Sequence, residues 1–544
     1  MKASFKFLGA ALLGIAAAAC SSPEKMAEQA EAIIIDCNPV VLEAKAGKVE
    51  ADIAVTYPAD YFHPKAILEV TPVIVYEGGE AKMAPFYYQG EKVTDNYKVV
   101  PTAGSTVKER VSFNYVEGME KSYLELRGVV KFKKKSVNLP VLKAADGVNT
   151  TYMLVHKEGK VEFKADNYQD VIAETAEGQI LYNINSSTVR NSELRSESIK
   201  NFQAAIDAIK ADERREFKGT DIVAYASPDG SEELNNKLSD NRSTSAEKAF
   251  GKVVKKHSID GDVNVQSVGE DWEGFKELVS ESNIEDKDLI IRVLSMYSDP
   301  AVREQEIKNM SAVYKTLAKE VLPELRRARF IANVEFTNYT SAELLQLIDE
   351  NIDILDEEAL LRSATLVKES ADKIAIYKKA VEKFNSNRAA FNIAVVYIND
   401  GKDAKAAQAL ESVEKDADYY NAIGVLAMHK EDYAAAAKAF AQSGSELANS
   451  NAAVLDILNG KYADAAAKLA GKTCFNAALA QLLNGNNAPA AALKCKCAHA
   501  AYLRAVAAAR DGKADLVTSN LEQVKADKDL AKRAAKDVEF AQYR

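Results

Sequence analysis

The chain has 544 residues and a net charge of −10, from 80 acidic against 70 basic side chains. That length leaves room for about three domains of ordinary size. Hydrophobic residues at 47% and charged residues at 28% form the composition of packed globular protein and exclude extensive disorder. The acidic balance, with no basic stripe interleaved with aromatics, speaks against nucleic-acid binding.

Lys2 and Lys6 precede an apolar run, Phe7 to Ala19, that ends at Cys20. The run is shorter than the roughly 20 residues that cross a bilayer, so it reads as an export signal. Ala17, Ala18 and Ala19 before Cys20 resemble a bacterial lipoprotein signal, although that pattern usually has Leu where Ala17 stands. The resemblance implies a signal over residues 1–20, a lipidated Cys20, and a protein anchored by lipid to the outer membrane, facing the periplasm. Four further cysteines remain: Cys37, Cys474, Cys495 and Cys497. Export permits a disulfide from Cys474 to Cys495 or Cys497, with a thiol left over. A metal site from Cys474, Cys495, Cys497 and His499 is the sharper alternative, but the single-residue CxC gap is narrower than paired zinc ligands use. Neither a metal nor a cofactor is expected.

Residues 31–170 alternate apolar and polar positions between turns. Val49, Ala51, Ile53, Val55 and Tyr57 form one such run, and Leu68, Val70, Pro72, Ile74 and Tyr76 form another that enters the turn Glu77-Gly78-Gly79-Glu80. Further strands are predicted over Arg110–Tyr115, Tyr123–Phe132 and Thr151–His156. Short strands with regular turns predict a β-sandwich. His63, His156 and His257 lack acidic, Cys or His neighbours in sequence, which argues against acid-base chemistry.

From about Ala176 strands and helices alternate: a strand over Gln179–Asn185, a helix over Glu193–Ala211, a strand over Gly219–Tyr225, a helix over Ser231–Lys256, and strands over Val263–Val268 and Arg329–Phe336. Leu238, Arg242, Ala246, Ala249, Phe250 and Val253 recur at helical spacing, which sets Arg242 on or beside the stripe facing the core. A guanidinium there needs a partner, and Glu270 or Asp271 could supply one internally.

Tyr225 to Arg242 resembles the signature of OmpA-like peptidoglycan-binding domains, with Gly230, Asn235, Leu238, Ser239 and Arg242 at matching positions. The upstream ILYNINSSTVRNSEL and the pair Gly269-Glu270 extend the likeness over residues 177–337. The resemblance implies a cleft that grips the diaminopimelate of the peptidoglycan stem peptide, with Arg242 on its carboxylate and Asn235 beside it. Arginine's planar fork suits that task, because it pairs bidentately with a carboxylate. The family's acidic residue for the ligand's ammonium is replaced by Ser227, and Asp229 stands two residues further along the loop. That Asp also suits a turn beside Gly230 on its own account.

Residues 271–325 exceed the family pattern and read as a helical insertion that begins at Trp272, with helices around Phe275–Ser280, Asp288–Met296 and Arg303–Leu322. Asp299 before Pro300 suits a helix N-terminus. The run Leu325-Arg326-Arg327-Ala328-Arg329 is either a basic patch for cell-wall carboxylates or a solvated edge.

Residues 340–544 are alanine-rich and helical. A turn phrase recurs around positions 401, 431, 460, 485 and 512, and Tyr-Ala-x-Ala-Ala follows two of the turns, at Tyr433 and Tyr462. The spacing resembles shortened tetratricopeptide repeats and implies an α-solenoid whose concave groove binds protein partners. The whole reads as a multidomain chain of β-sandwich, α/β OmpA-like domain and α-solenoid. No catalytic motif stands in it. The acidic run Asp356-Glu357-Glu358 suits a solvated helix better than a pair of catalytic acids. A non-catalytic scaffold linking outer membrane to peptidoglycan is expected, with an accessory lipoprotein of an export or surface-assembly machine as the alternative.

Overall fold

The computed structural model describes residues 22–255, 261–284 and 287–544. The signal, Cys20 and His257 lie outside the described residues. Contacts divide the chain into two compact units: one runs to Lys164 and resumes over Ala390–Arg544, and the other is Ala165–Ala389. The division expected at 31–170, 177–337 and 340–544 therefore shifts. The first helices after residue 340 group with the α/β elements, and the N-terminal strands share one apolar core with the repeats. Among the described residues no helix is long and apolar enough to cross a membrane.

The first unit opens with α1 (Pro23–Glu28), capped by the Ser22 side chain. Eleven strands follow: β1 (Ile34–Asn38), β2 (Val41–Lys45), β3 (Lys48–Tyr57), β4 (Ile67–Tyr76), β5 (Gly79–Lys82), β6 (Phe86–Gly90), β7 (Lys98–Val100), β8 (Ser105–Asn114), β9 (Ser122–Phe132), β10 (Lys135–Asn138) and β11 (Leu142–Asn149). Alternation in β3 buries Val49, Ala51, Ile53, Val55 and Tyr57, as the period-two pattern requires. The strands are not two separate sheets. Eight follow one path, β1-β3-β2-β11-β9-β4-β6-β7, because β2 pairs antiparallel with β3 and parallel with β11, and β5, β8 and β10 join beside β4, β3 and β9. The strand expected over Thr151–His156 is a short 3-10 turn, Thr151–Leu154. Asn149 starts that turn by accepting the Thr151 N–H at 2.8 Å.

The second unit is built on β12 (Val171–Leu181), α2 (Glu197–Ala211), β13 (Arg215–Ala226), α3 (Glu232–Lys255) and β14 (Asp262–Glu270). An insertion of α4 (Trp272–Glu281), α5 (Lys287–Met296), α6 (Pro300–Asn309) and α7 (Ser311–Glu320) leads to β15 (Arg327–Thr337). The sheet order is β12-β15-β13-β14, with β13 parallel to β14 and β15 antiparallel to both its neighbours. Ile180, Phe202, Ile206, Ile222, Phe250 and Phe330 fill the space between this sheet and its helices. β12 starts earlier than its own pattern suggests, because it pairs with β15 from Val171 onward. The insertion carries a separate core of Phe275, Val279, Ile290, Leu317 and Leu325. Asp299 caps α6 through the Ala301 N–H at 2.9 Å. The single helix expected over Arg303–Leu322 is broken where Met310 leaves helical geometry. Helices α8 (Ser341–Glu350), α9 (Glu357–Leu366) and α10 (Ser370–Phe384) complete the unit.

Helical pairs then return the chain to the first unit: α11 (Asn387–Asn399) with α12 (Asp403–Leu410), α13 (Ala417–His429) with α14 (Tyr433–Ser443), α15 (Glu446–Leu458) with α16 (Tyr462–Lys468), α17 (Phe475–Leu483) with α18 (Ala488–Ala491), and α19 (Ala498–Arg510) with α20 (Ala514–Val524), followed by α21 (Lys528–Lys536). All five expected turn positions are left-handed: Gly401, Glu431, Gly460, Gly485 and Gly512. After each, the next N–H reaches back five residues, as in Lys402 to Tyr397, Asp432 to Ala427 and Lys461 to Asp456. This closure satisfies the last carbonyls of the first helix and turns the chain into the second.

Candidate functional site: a sealed cleft and an occupied groove

Arg242 lies at the centre of α3 with no exposed surface. Its Nε donates to the Ser186 carbonyl at 3.0 Å, Nη1 to the Tyr225 carbonyl at 2.9 Å and Nη2 to the Asn183 carbonyl at 3.3 Å. The Tyr182 ring lies 5.0 Å from the guanidinium carbon, and the Tyr182 hydroxyl donates to the Arg242 carbonyl at 3.1 Å. Burial pushes the arginine down to about 10, so it stays cationic at neutral pH. The internal acids considered for it have other partners. Glu270 accepts from Asn235 at 2.9 Å and from the Trp272 indole at 2.8 Å, and Asp271 pairs with Arg327 at 2.8 Å.

Ser227 and Asp229 do lie together at the end of β13, joined by a hydroxyl-to-carboxylate hydrogen bond. Arg326 closes over both, Nε donating to Ser227 at 3.3 Å and Nη2 to Asp229 at 3.3 Å. The side chain that enters this corner is therefore one of the protein's own cations. Asn235 is buried and turned away to Gly230 and Glu270, where it fastens the start of α3 to the end of β14. The arginine run is not a free basic patch: Arg326 pairs with Asp229, Arg327 with Asp271 and Arg329 with Glu177. The resemblance brings Arg242, Ser227 and Asp229 to one corner of the unit, and there the guanidinium is enclosed where an open mouth was expected.

The repeats hold a second set of polar side chains, outside the motifs of the sequence. After the 3-10 turn, residues 155–164 run extended along the first helices of successive repeats. Asn476 accepts the His156 N–H at 2.9 Å and donates to its carbonyl at 2.8 Å. Asn451 does the same for Lys160, at 2.9 and 2.8 Å, and Asn392 for Lys164, at 2.7 and 2.9 Å. Asn421 donates to the Lys160 carbonyl at 3.0 Å and accepts from Asn451 at 2.9 Å. Asn476, Asn451 and Asn392 each present one donor and one acceptor to a single residue of the strap, as a neighbouring strand would. His429 adds a contact from Nε2 to the Glu158 carbonyl at 2.7 Å, and Lys164 pairs with Asp416 and Asp418. Gly159 is left-handed, and a Cβ there would stand 2.9 Å from Val425. This row of asparagines is occupied by the chain itself, whereas the sequence led us to expect an outside partner along the repeats.

A periodic signal for this row was present in the sequence. Asn392, Asn421, Asn451 and Asn476 each stand nine or ten positions before a turn, and Leu503 takes the same place in the next repeat, where the row stops.

The expected disulfide is not formed. Cys37 is free and buried, and Cys474, Cys495 and Cys497 are free and exposed. Among the described residues no group of three or more His, Cys, Asp or Glu side chains is placed to hold a metal ion. His156 is not isolated: it stacks on Phe475 at 4.2 Å and meets His499 at 5.1 Å. No protein-family model matches this chain, and no curated protein matches it either.

Proposed function

We propose that the chain is a non-catalytic scaffold, lipid-anchored through Cys20 to the periplasmic face of the outer membrane, that acts by holding protein partners. In this reading the N-terminal strands are a β module, the α/β unit an OmpA-like domain and the repeats an α-solenoid. The arrangement of Arg326 supports the accessory, export- or assembly-machine reading over peptidoglycan binding. It places a cation on Ser227 and Asp229, where the resemblance assigns the ligand's ammonium, and Arg242 is itself fully buried. With the asparagine row occupied by residues 156–164, a partner meets the outer faces of the repeats or the helical insertion.

The second reading, contact with the diaminopimelate of peptidoglycan, is favoured by one feature. Arg242 is a buried cation whose hydrogen-bond partners are neutral carbonyls, so a ligand carboxylate would offset its charge.

Pull-down on purified sacculi separates the two, using wild type, Arg242→Lys and Arg326→Ala, each checked for folding by circular dichroism. The scaffold reading expects no retention of wild type above a control protein. Wild-type retention that Arg242→Lys abolishes in a folded protein would overturn it. Retention gained only in Arg326→Ala would identify a peptidoglycan cleft plugged by the protein's own arginine.

A further inference from the structure

Three of the four free cysteines among the described residues border one cavity of about 670 Å³ at the end of the repeats, whose apolar wall includes Phe475 and Leu493. Cys474 is the residue before α17 and Cys497 the residue before α19, so both thiols stand at N-termini of successive first helices. Cys495 precedes Cys497 by two, and its sulfur accepts the Cys497 N–H at 3.3 Å. Arg504 fixes this loop by donating to the Leu493 carbonyl at 3.0 Å and the Cys495 carbonyl at 2.7 Å. Its own position is held by Asn520 at 2.8 Å and Gln523 at 3.0 Å. The hydrogen bonds from Cys497 and the charge of Arg504 hold the Cys495 thiol below the ordinary cysteine range. A thiol with those properties, exposed and followed by a second thiol two residues on, is the arrangement that thiol–disulfide exchange requires. Lys494 lines the same cavity and gives its wall positive charge, and Lys472, paired with Glu446, lines it too.

We propose that Cys495 is the attacking thiol of a thiol–disulfide exchange site that accepts a small anionic disulfide, with Cys497 or Cys474 as the resolving thiol. The Cys495 thiolate attacks one sulfur of the disulfide, forms a mixed disulfide and releases the other half as a thiolate. The resolving thiolate then attacks the Cys495 sulfur, closes a disulfide within the protein and releases the second half. The protein loses two thiol protons and two electrons, and the substrate disulfide becomes two thiols. This inference is independent of the scaffold reading, because it concerns no residue of the α/β unit.

The test uses the reduced full chain with oxidised glutathione or with cystamine, quenched by alkylation and read by peptide mass spectrometry. Wild type is expected to form a disulfide joining Cys495 to Cys497 or Cys474 without retaining glutathione. The Cys474→Ser, Cys497→Ser double variant should accumulate glutathione on Cys495. Cys495→Ser should react about tenfold slower or more. Oxidised glutathione should react faster than the cationic cystamine, and the preference should fade with added salt. Buried Cys37, whose thiol burial pushes up to about 11, is the internal control. Stable glutathione on wild-type Cys495 with no internal disulfide would overturn the proposal. So would a Cys495 rate equal to that of the same chain unfolded in urea.

Discussion

The Arg242 corner and the asparagine row solve the same problem with different chemistry. In both, buried polar side chains meet the main chain of their own protein. A guanidinium only donates, so Arg242 draws on three carbonyls from two separate segments and keeps an uncompensated charge. An asparagine donates and accepts, so one neutral side chain satisfies both groups of one strap residue, and the task is shared among three repeats, with Asn421 of a fourth adding a donor to the Lys160 carbonyl. The first site is a single point of failure. The second is distributed.

The largest test of that contrast is Arg242→Met. It removes the side chain that donates to the Ser186, Asn183 and Tyr225 carbonyls; the Asn183 carbonyl keeps the Ser186 N–H at 3.1 Å, and a carbonyl left buried and unpaired costs about 1–3 kcal/mol. The α/β unit should lose on the order of 3 kcal/mol or more, seen as faster amide exchange throughout α3 and β13 with the repeats unchanged. Exchange confined to residues 183–186 would mean that the charge, once removed, was costing nearly as much as its bonds supplied.

Asn451→Ala should be milder and local. It deletes the acceptor of the Lys160 N–H, one of the two donors to the Lys160 carbonyl and the donor to the Asn421 oxygen, for about 1–3 kcal/mol. Exchange should rise around residues 158–162 while the Asn392 and Asn476 contacts persist. Loss of protection along the whole strap would show that the row acts as a unit.

Glu431→Gly probes the repeats with a smaller effect of opposite sign. Glu431 occupies the left-handed turn position that Gly401, Gly460, Gly485 and Gly512 fill elsewhere, at φ 58°. Glycine adopts that conformation without the side-chain penalty, so the substitution should stabilise by about 1 kcal/mol, read as a raised denaturation midpoint. No gain would mean that the Glu431 side chain, which lies 3.7 Å from Lys157 of the strap, offsets the strain.

How much of this was legible in the sequence depends on the range of the signal. The five turns were readable because each is a local pattern that closes on itself, and all five fall between one helix and the next. The strand and helix order of residues 171–337 was readable from periodicity, and so was the placing of Arg242 against the core. What Arg242 and Asp229 touch was not, since Arg326 lies far along the chain, beyond the insertion, and only the β15 pairing brings it to Ser227. The strap was missed because residues 155–164 have no period of their own; their extended form is imposed by asparagines that follow more than two hundred positions later. The repeats were expected to present a groove to outside partners, whereas the chain that lies along their asparagine row was encoded in what looked like a linker.

Within the α/β unit the exposed counterpart of Arg242 is Arg214, which meets an acid, and this pair gives the smallest and most specific test. Glu343 accepts the Thr340 N–H at 2.7 Å in the capping box of α8 and pairs with Arg214 at 2.6 Å. The Thr340 main-chain bond, and then Arg214, hold its carboxyl down at about 2. A lowered folded value means that this stabilisation is complete above the ordinary carboxylate range near 4.5 and is lost as pH falls toward 2. Carbon-13 titration should place Glu343 near 2 in wild type. In Arg214→Ala it should rise only part of the way toward 4.5, because the stronger contribution, the Thr340 N–H, remains. A full return to the ordinary value would make the ion pair, not the cap, the dominant restraint. Arg242 has no acid in that role, so its three carbonyl bonds should persist through the pH range in which the Arg214 pair dissolves.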